Sequence, residues 1–104
     1  MKIPGEIRVN GHTIRVDKVL QESIDGGGEY RDYYNLIRLR NDSDVPESSL
    51  AKCFLHEIIE CIKAKNGLEI HHTHLTVLSE GLFQVLRVNG LDFRERKSKS
   101  SNEK

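Results

Sequence analysis

Apolar and polar residues alternate over Ile7-Arg8-Val9 and again over Thr13-Ile14-Arg15-Val16, with Asn10-Gly11 between them. Alternation sends successive side chains to opposite faces of a strand, so each run predicts a strand with one buried face. Asn-Gly suits a two-residue type I′ turn, which needs positive φ at both central positions, so the pair predicts a hairpin. The second strand is expected to run on toward Val19-Leu20. Gly26-Gly27-Gly28 reads as a flexible loop. Alternation returns from Tyr34 to Arg40, with Ile37 and Leu39 on one face. Together these runs predict a small antiparallel β-meander of about three strands between Glu6 and Arg40.

The period then changes to that of a helix, from about Pro46 to Asn66. Asp44 is the expected cap, Pro46 an early helical position, and Glu47 stands three residues after the Asp. Gly67 is the expected stop. On a wheel turned by about 100° per residue, Leu50, Ala51, Phe54, Leu55, Ile58, Cys61 and Ile62 share one arc, which Cys53 and Ala64 extend. Lys52 and Lys63 lie on the solvent side. A second helix is expected from His74 to Val88, with Thr73 as its cap and Asn89-Gly90 at its end. Its apolar stripe is Leu75, Leu78, Leu82, Val85 and Leu86, and Gly81 permits close approach to a neighbouring helix. The fold class is therefore α+β: one domain over residues 1–93, a small sheet packed with two helices. Residues 94–104 carry five basic and two acidic residues and nothing apolar, which predicts a disordered basic tail.

Composition narrows the function classes. The chain has 104 residues, and its 16 Lys+Arg balance 16 Asp+Glu. Zero net charge argues against a nucleic-acid-binding module that works through bulk positive charge. A hydrophobic fraction of 37% and the absence of Trp predict a small core and a shallow cleft rather than a deep cavity. No run approaches the ~18 apolar residues of a membrane span, and the first residues lack the apolar centre of a signal peptide, so a soluble, cytoplasmic protein is expected. Cys53 and Cys61, eight residues and so about 12 Å apart along one helix, cannot meet the roughly 7 Å limit of a disulfide and are read as free thiols.

The candidate chemistry sits on the first helix. Glu57 falls between Cys53 and Leu50 on the wheel, where the pattern asks for a hydrophobe. A buried carboxylate needs a cation, a hydrogen-bond donor, a metal-bound water or its own proton. His56 and Glu60, at i and i+4, lie one turn apart on the same face, so both reach one ion, with Glu57 pointing into the adjacent space. That is the arrangement of His-Glu-x-x-His, in which two ligands hold a metal and the Glu polarises its water. The plain alternative is a surface His56–Glu60 pair, with Glu57 bound to Arg38 or Arg40. Cys53 is close enough in angle to Glu60 to serve as a soft ligand. His71, His72 and His74 form a second cluster of possible ligands, or simply solvent-facing residues at the entry to a helix.

The order of a β-meander, then Leu55-His56-Glu57-Ile58-Ile59-Glu60-Cys61-Ile62, then Leu78-Ser79-Glu80-Gly81-Leu82-Phe83-Gln84-Val85-Leu86, resembles the short phage- and prophage-encoded zincin-like proteins. These are minimal relatives of ImmA/IrrE- and SprT-type metallopeptidases. The resemblance implies a metal-dependent, peptidase-like hydrolase acting on a peptide or protein substrate. It makes His56 the first ligand, Glu57 the catalytic base, Glu60 the occupant of the second-ligand slot and Glu80 the third ligand. His74, on the inward side of the second helix's wheel, is the rival third ligand, since Glu80 lies nearly opposite the apolar stripe. The chain departs from the family where Glu60 replaces the second His. One His with two Glu would offset the charge of Zn²⁺, leave its water less acidic and favour a harder ion such as Mn²⁺. The competing expectation is a zincin-like scaffold that no longer catalyses and serves as a phage-encoded binding protein.

Overall fold

The computed structural model describes residues 3–20 and 23–91. The expected tail, and the domain boundary at residue 93, lie outside the described residues. The elements run β1 (Glu6–Val9), β2 (His12–Val19), β3 (Gly28–Arg31), β4 (Leu36–Arg40), α1 (Glu47–Lys65) and α2 (His72–Val88). The class is α+β, as the pattern implies. The sheet, however, is four-stranded and mixed, in the order β1-β2-β4-β3, rather than an antiparallel meander of about three strands.

The first hairpin forms as its sequence dictates. Val9 pairs with His12 across Asn10 and Gly11, whose φ values of 51° and 82° are those of a type I′ turn. β2 then pairs with β4 in parallel, from Arg15↔Leu36 to Val19↔Arg40. That geometry leaves room for the chain to travel out, form β3 at the sheet edge and return antiparallel, with Gly28 opposite Leu39 and Arg31 opposite Leu36. β3 begins inside the glycine run taken for a loop. Four residues, the first a glycine, hold too little alternation to announce a strand.

Those glycines are required by α1. A Cβ on Gly27 would stand 2.5 Å from Cys53 Sγ, and one on Gly28 would stand 3.2–3.3 Å from Leu39 Cδ2, the Arg38 carbonyl and Glu57 Cγ. The edge strand reaches the helix only because both positions lack side chains.

α1 is packed on two sides. Toward the sheet, Leu50, Phe54 and Cys61 meet Ile14, Val16, Ile37 and Leu39. Toward α2, Leu55 and Ile59 meet Leu75, with Ile70, Phe83 and Leu86 around them. This second contact buries Ile59, which the single-arc reading omitted, and leaves Ile62 exposed. No side chain caps α1: Pro46 occupies the N-cap, and Asp44 does not serve. The C-terminal ends are as read. Gly67 and Gly90 have φ of 63° and 69°, and the Leu68 and Leu91 amides return to the Lys63 and Leu86 carbonyls, closing each helix with a Schellman motif. Cys53 and Cys61 are free thiols. Among the described residues no helix is long and apolar enough to cross a membrane.

Replacing Gly28 by Val inserts a branched side chain into contacts that are already tight. We expect a loss of about 1–3 kcal/mol in urea unfolding, the usual range for overpacking. An unchanged midpoint would show that β3 does not need this close approach.

Candidate metal centre

α2 begins two residues before its expected start. The His71 side chain takes the capping role assigned to Thr73, its Nδ1 accepting the Thr73 amide at 3.2 Å. An imidazole nitrogen here does what a Ser or Asp oxygen usually does. The shift places His72 in the first turn of α2, beside α1. The two helices run antiparallel: Glu47 meets Arg87, Lys52 meets Glu80, His56 meets Ser79 and Glu60 meets His72.

At the top of this hairpin three side chains converge. His56 Nε2 lies 3.6 Å from Glu60 Oε2, and His72 Nδ1 lies 3.8 Å from the same oxygen. One ligand atom from each of His56, Glu60 and His72 falls within 4.8 Å of the others, so the group can hold a metal ion. Tetrahedral ligands at zinc bond lengths of 2.0–2.2 Å sit about 3.3 Å apart, so two of the three separations need close by only a few tenths of an ångström. The rings of His56 and His72 meet edge to face with centroids 5.7 Å apart.

His56 is held from behind. Ser79, essentially buried at 1% exposure, donates its hydroxyl hydrogen to the Thr76 carbonyl at 2.9 Å. Its oxygen is then free only to accept, and His56 Nδ1 lies 3.4 Å away. In the neutral ring the proton therefore sits on Nδ1 and the lone pair on Nε2, which faces Glu60. This is the usual way a supporting residue fixes the tautomer of a metal-binding histidine. Ser79 was not singled out from the sequence. Its signal was a lone polar residue four positions after Leu75, on the side that packs against α1.

Glu57 is buried, as its wheel position implied. It is not paired with Arg38 or Arg40: Arg38 binds Glu29 at 3.0 Å and Arg40 binds Asp42 at 3.1 Å. Among the described residues no hydrogen bond or ion pair reaches its carboxyl. Burial first, then the negative charges of Glu60 and Glu29, raise its pKa from 4.5 to about 7. Burial and the neighbouring Glu57 also push the Cys53 thiol up, which leaves it protonated and poor as a metal ligand. Glu57 lines an open cleft of about 330 Å³ with Gly28, Glu29, Tyr30, His56, Glu60 and His72.

The other two candidates stand apart from the three-residue group. Glu80 lines an adjoining cavity that also touches His56, Glu57 and His72, but it is exposed and its carboxylate lies 3.8 Å from Lys52 Nζ. His74 is exposed, with its ring 5.7 Å from that of His71. The packed side of α2 is also turned from the expected stripe. Leu75, Ser79, Phe83 and Leu86 face α1, while Leu78, Leu82, Val85 and Gly81 face solvent.

Two outcomes follow from this geometry. Glu57 ionises later in the folded chain than in the unfolded one, so its contribution is fully present below about pH 4.5 and is lost as pH rises toward 7. The loss is about 3 kcal/mol. Urea unfolding should accordingly show Glu57→Gln gaining stability over the parent between about pH 5 and pH 8; an equal difference at both would contradict the buried acid. Nitrogen-15 NMR of the neutral His56 ring should show the Nδ1–H tautomer, and Ser79→Ala should shift it toward Nε2–H. A parent chain already in the Nε2–H form would contradict the Ser79 contact.

Comparison with protein-family models, with curated proteins and with solved structures finds no match to this chain.

Proposed function

We propose that this chain is a metal-dependent hydrolase of peptide bonds, of the zincin-like phage type its sequence resembles, with His56, Glu60 and His72 as the metal ligands and Glu57 as the general base. The observation that carries the proposal is the convergence of those three ligand atoms within 4.8 Å, beside a buried carboxyl whose pKa is raised to about 7.

With His72 as the third ligand, in place of Glu80 or His74, the donor set becomes two imidazoles and one carboxylate. That is a combination used by catalytic zinc sites. It also removes the difficulty posed by one His with two Glu, because a single carboxylate leaves more of the ion's charge unscreened. The set therefore favours Zn²⁺ over a harder ion such as Mn²⁺. A divalent ion held here supplies Lewis acidity toward a water and a substrate carbonyl.

The remaining roles belong to the chain. Glu57 takes a proton from the attacking water and returns it to the leaving nitrogen as the C–N bond breaks. Its position in the cleft beside His56, Glu60 and His72 suits both transfers. Ser79 keeps the His56 Nε2 lone pair directed at the ion. β3 pairs only with β4 among the described strands, so its outer edge, beside the cleft, leaves backbone groups to which an extended peptide can bind.

Titration calorimetry with Zn²⁺ on the dialysed full chain should show one ion per chain. His56→Ala and His72→Ala should each weaken binding at least ~10-fold. Glu57→Gln should keep the ion and lose about 10²–10⁴-fold of the cleavage rate on an unstructured protein substrate. Failure to bind Zn²⁺ or Mn²⁺, or cleavage indifferent to Glu57→Gln, would overturn the proposal.

A further inference from the structure

α2 is apolar beyond the side that packs on α1. Its inner side, Leu75, Phe83 and Leu86 around Ser79, packs on α1. Its outer side carries Val77, Leu78, Leu82, Val85 and Val88, each 39–76% exposed, and Leu91 just beyond the helix adds another at 67%. An apolar face this broad on a helix is normally covered by a neighbour. The five helix residues together expose on the order of 500 Å², in the upper part of the range that a monomer usually leaves to solvent in its largest patch.

We infer that this outer face is a homodimer interface, in which α2 of one chain lies against α2 of a second copy about a two-fold axis. Four observations select a second copy as the occupant. The patch approaches the roughly 800 Å² per partner of a standard interface, once a polar rim is added. It holds no Asp, Glu, Lys or Arg to be matched: the two such residues of α2, Glu80 and Arg87, meet Lys52 and Glu47 of α1, and exposed His74 is the titratable side chain among the apolar residues. The chain's zero net charge opposes no approach of like copies. Gly81, in the middle of the stripe, has nothing within 4 Å of where its Cβ would be, so it does not serve the α1 contact its sequence position suggested. It leaves a flat spot bracketed by Val77, Leu78, Leu82 and Val85 into which a partner's side chain can seat.

The two faces of α2 do not compete. His72, Thr76, Ser79 and Glu80 look into the cleft beside α1, so pairing through the outer stripe leaves the candidate metal centre open.

Sedimentation equilibrium of the full chain tests the inference. Between about 10 and 200 µM the mass should be twice 11.9 kDa. Leu78→Lys with Val85→Lys places like charges across the seam and should raise the dissociation constant at least ~100-fold, giving the single-chain mass with unchanged helical circular dichroism. Should the lysine pair lower the helix signal, Val77→Gln with Val88→Gln is the milder variant, and the same fall in mass is expected. A parent chain that stays monomeric across that range, assembles beyond two copies, or remains dimeric in the folded variants would overturn the inference.

Discussion

An edge strand lies so close to a helix that it leaves no room for side chains between them, and the candidate site depends on this approach. Gly27 and Gly28 bring β3 against α1 at a separation that would force any side chain there into Cys53, Leu39 or Glu57. The consequence falls on Glu57. Pressed between its own helix and the strand, its carboxyl is removed from water, and the nearby arginines are held by Glu29 and Asp42. The same strand closes one wall of the cleft in which that carboxyl sits.

Holding an acid in this position costs stability at neutral pH. A small domain tolerates the cost because α1 is supported on both sides, by the sheet at Leu50, Phe54 and Cys61 and by α2 at Leu55 and Ile59. Two-sided packing also makes the site stiff where stiffness matters. Ser79 reaches His56 from behind, and the bidentate Arg87–Glu47 pair, at 2.8 Å on both contacts, ties the far end of the hairpin. His72 is the exception. It is the most exposed of the three ligand candidates, on the first turn of α2, and so is the one with freedom to move onto an ion.

α2 thus has two tasks on two faces. One carries Ser79 and His72 to α1; the other is an apolar stripe that nothing among the described residues covers. The division explains why the helix sits turned from the position its hydrophobic pattern suggests. Burying Leu78, Leu82 and Val85 against α1 would have carried Ser79 away from His56. The orientation observed buries Leu75, Phe83 and Leu86 instead and sets the stripe outward.

Local features were legible in the chain because their physics is local. The Asn10-Gly11 turn follows from the φ it requires, the stops at Gly67 and Gly90 from the left-handed backbone they adopt, and the His56–Glu60 pair from a four-residue helical spacing. Glu57 stood out because a carboxylate on an apolar arc is conspicuous whatever the fold. The partner of each element was not legible, because it depends on contacts between residues far apart in sequence. The parallel pairing of β2 with β4, the short strand hidden in the glycine run, the burial of Ile59 and the rotation of α2 all arise from packing. So does the third member of the metal-capable group. A histidine cap starts α2 early, the antiparallel hairpin sets His72 opposite Glu60, and neither Glu80 nor His74 joins them. The sequence by itself determined which residues of α1 are candidates for chemistry; only the tertiary structure decided what faces them, because that is set by how two helices and a strand edge pack together.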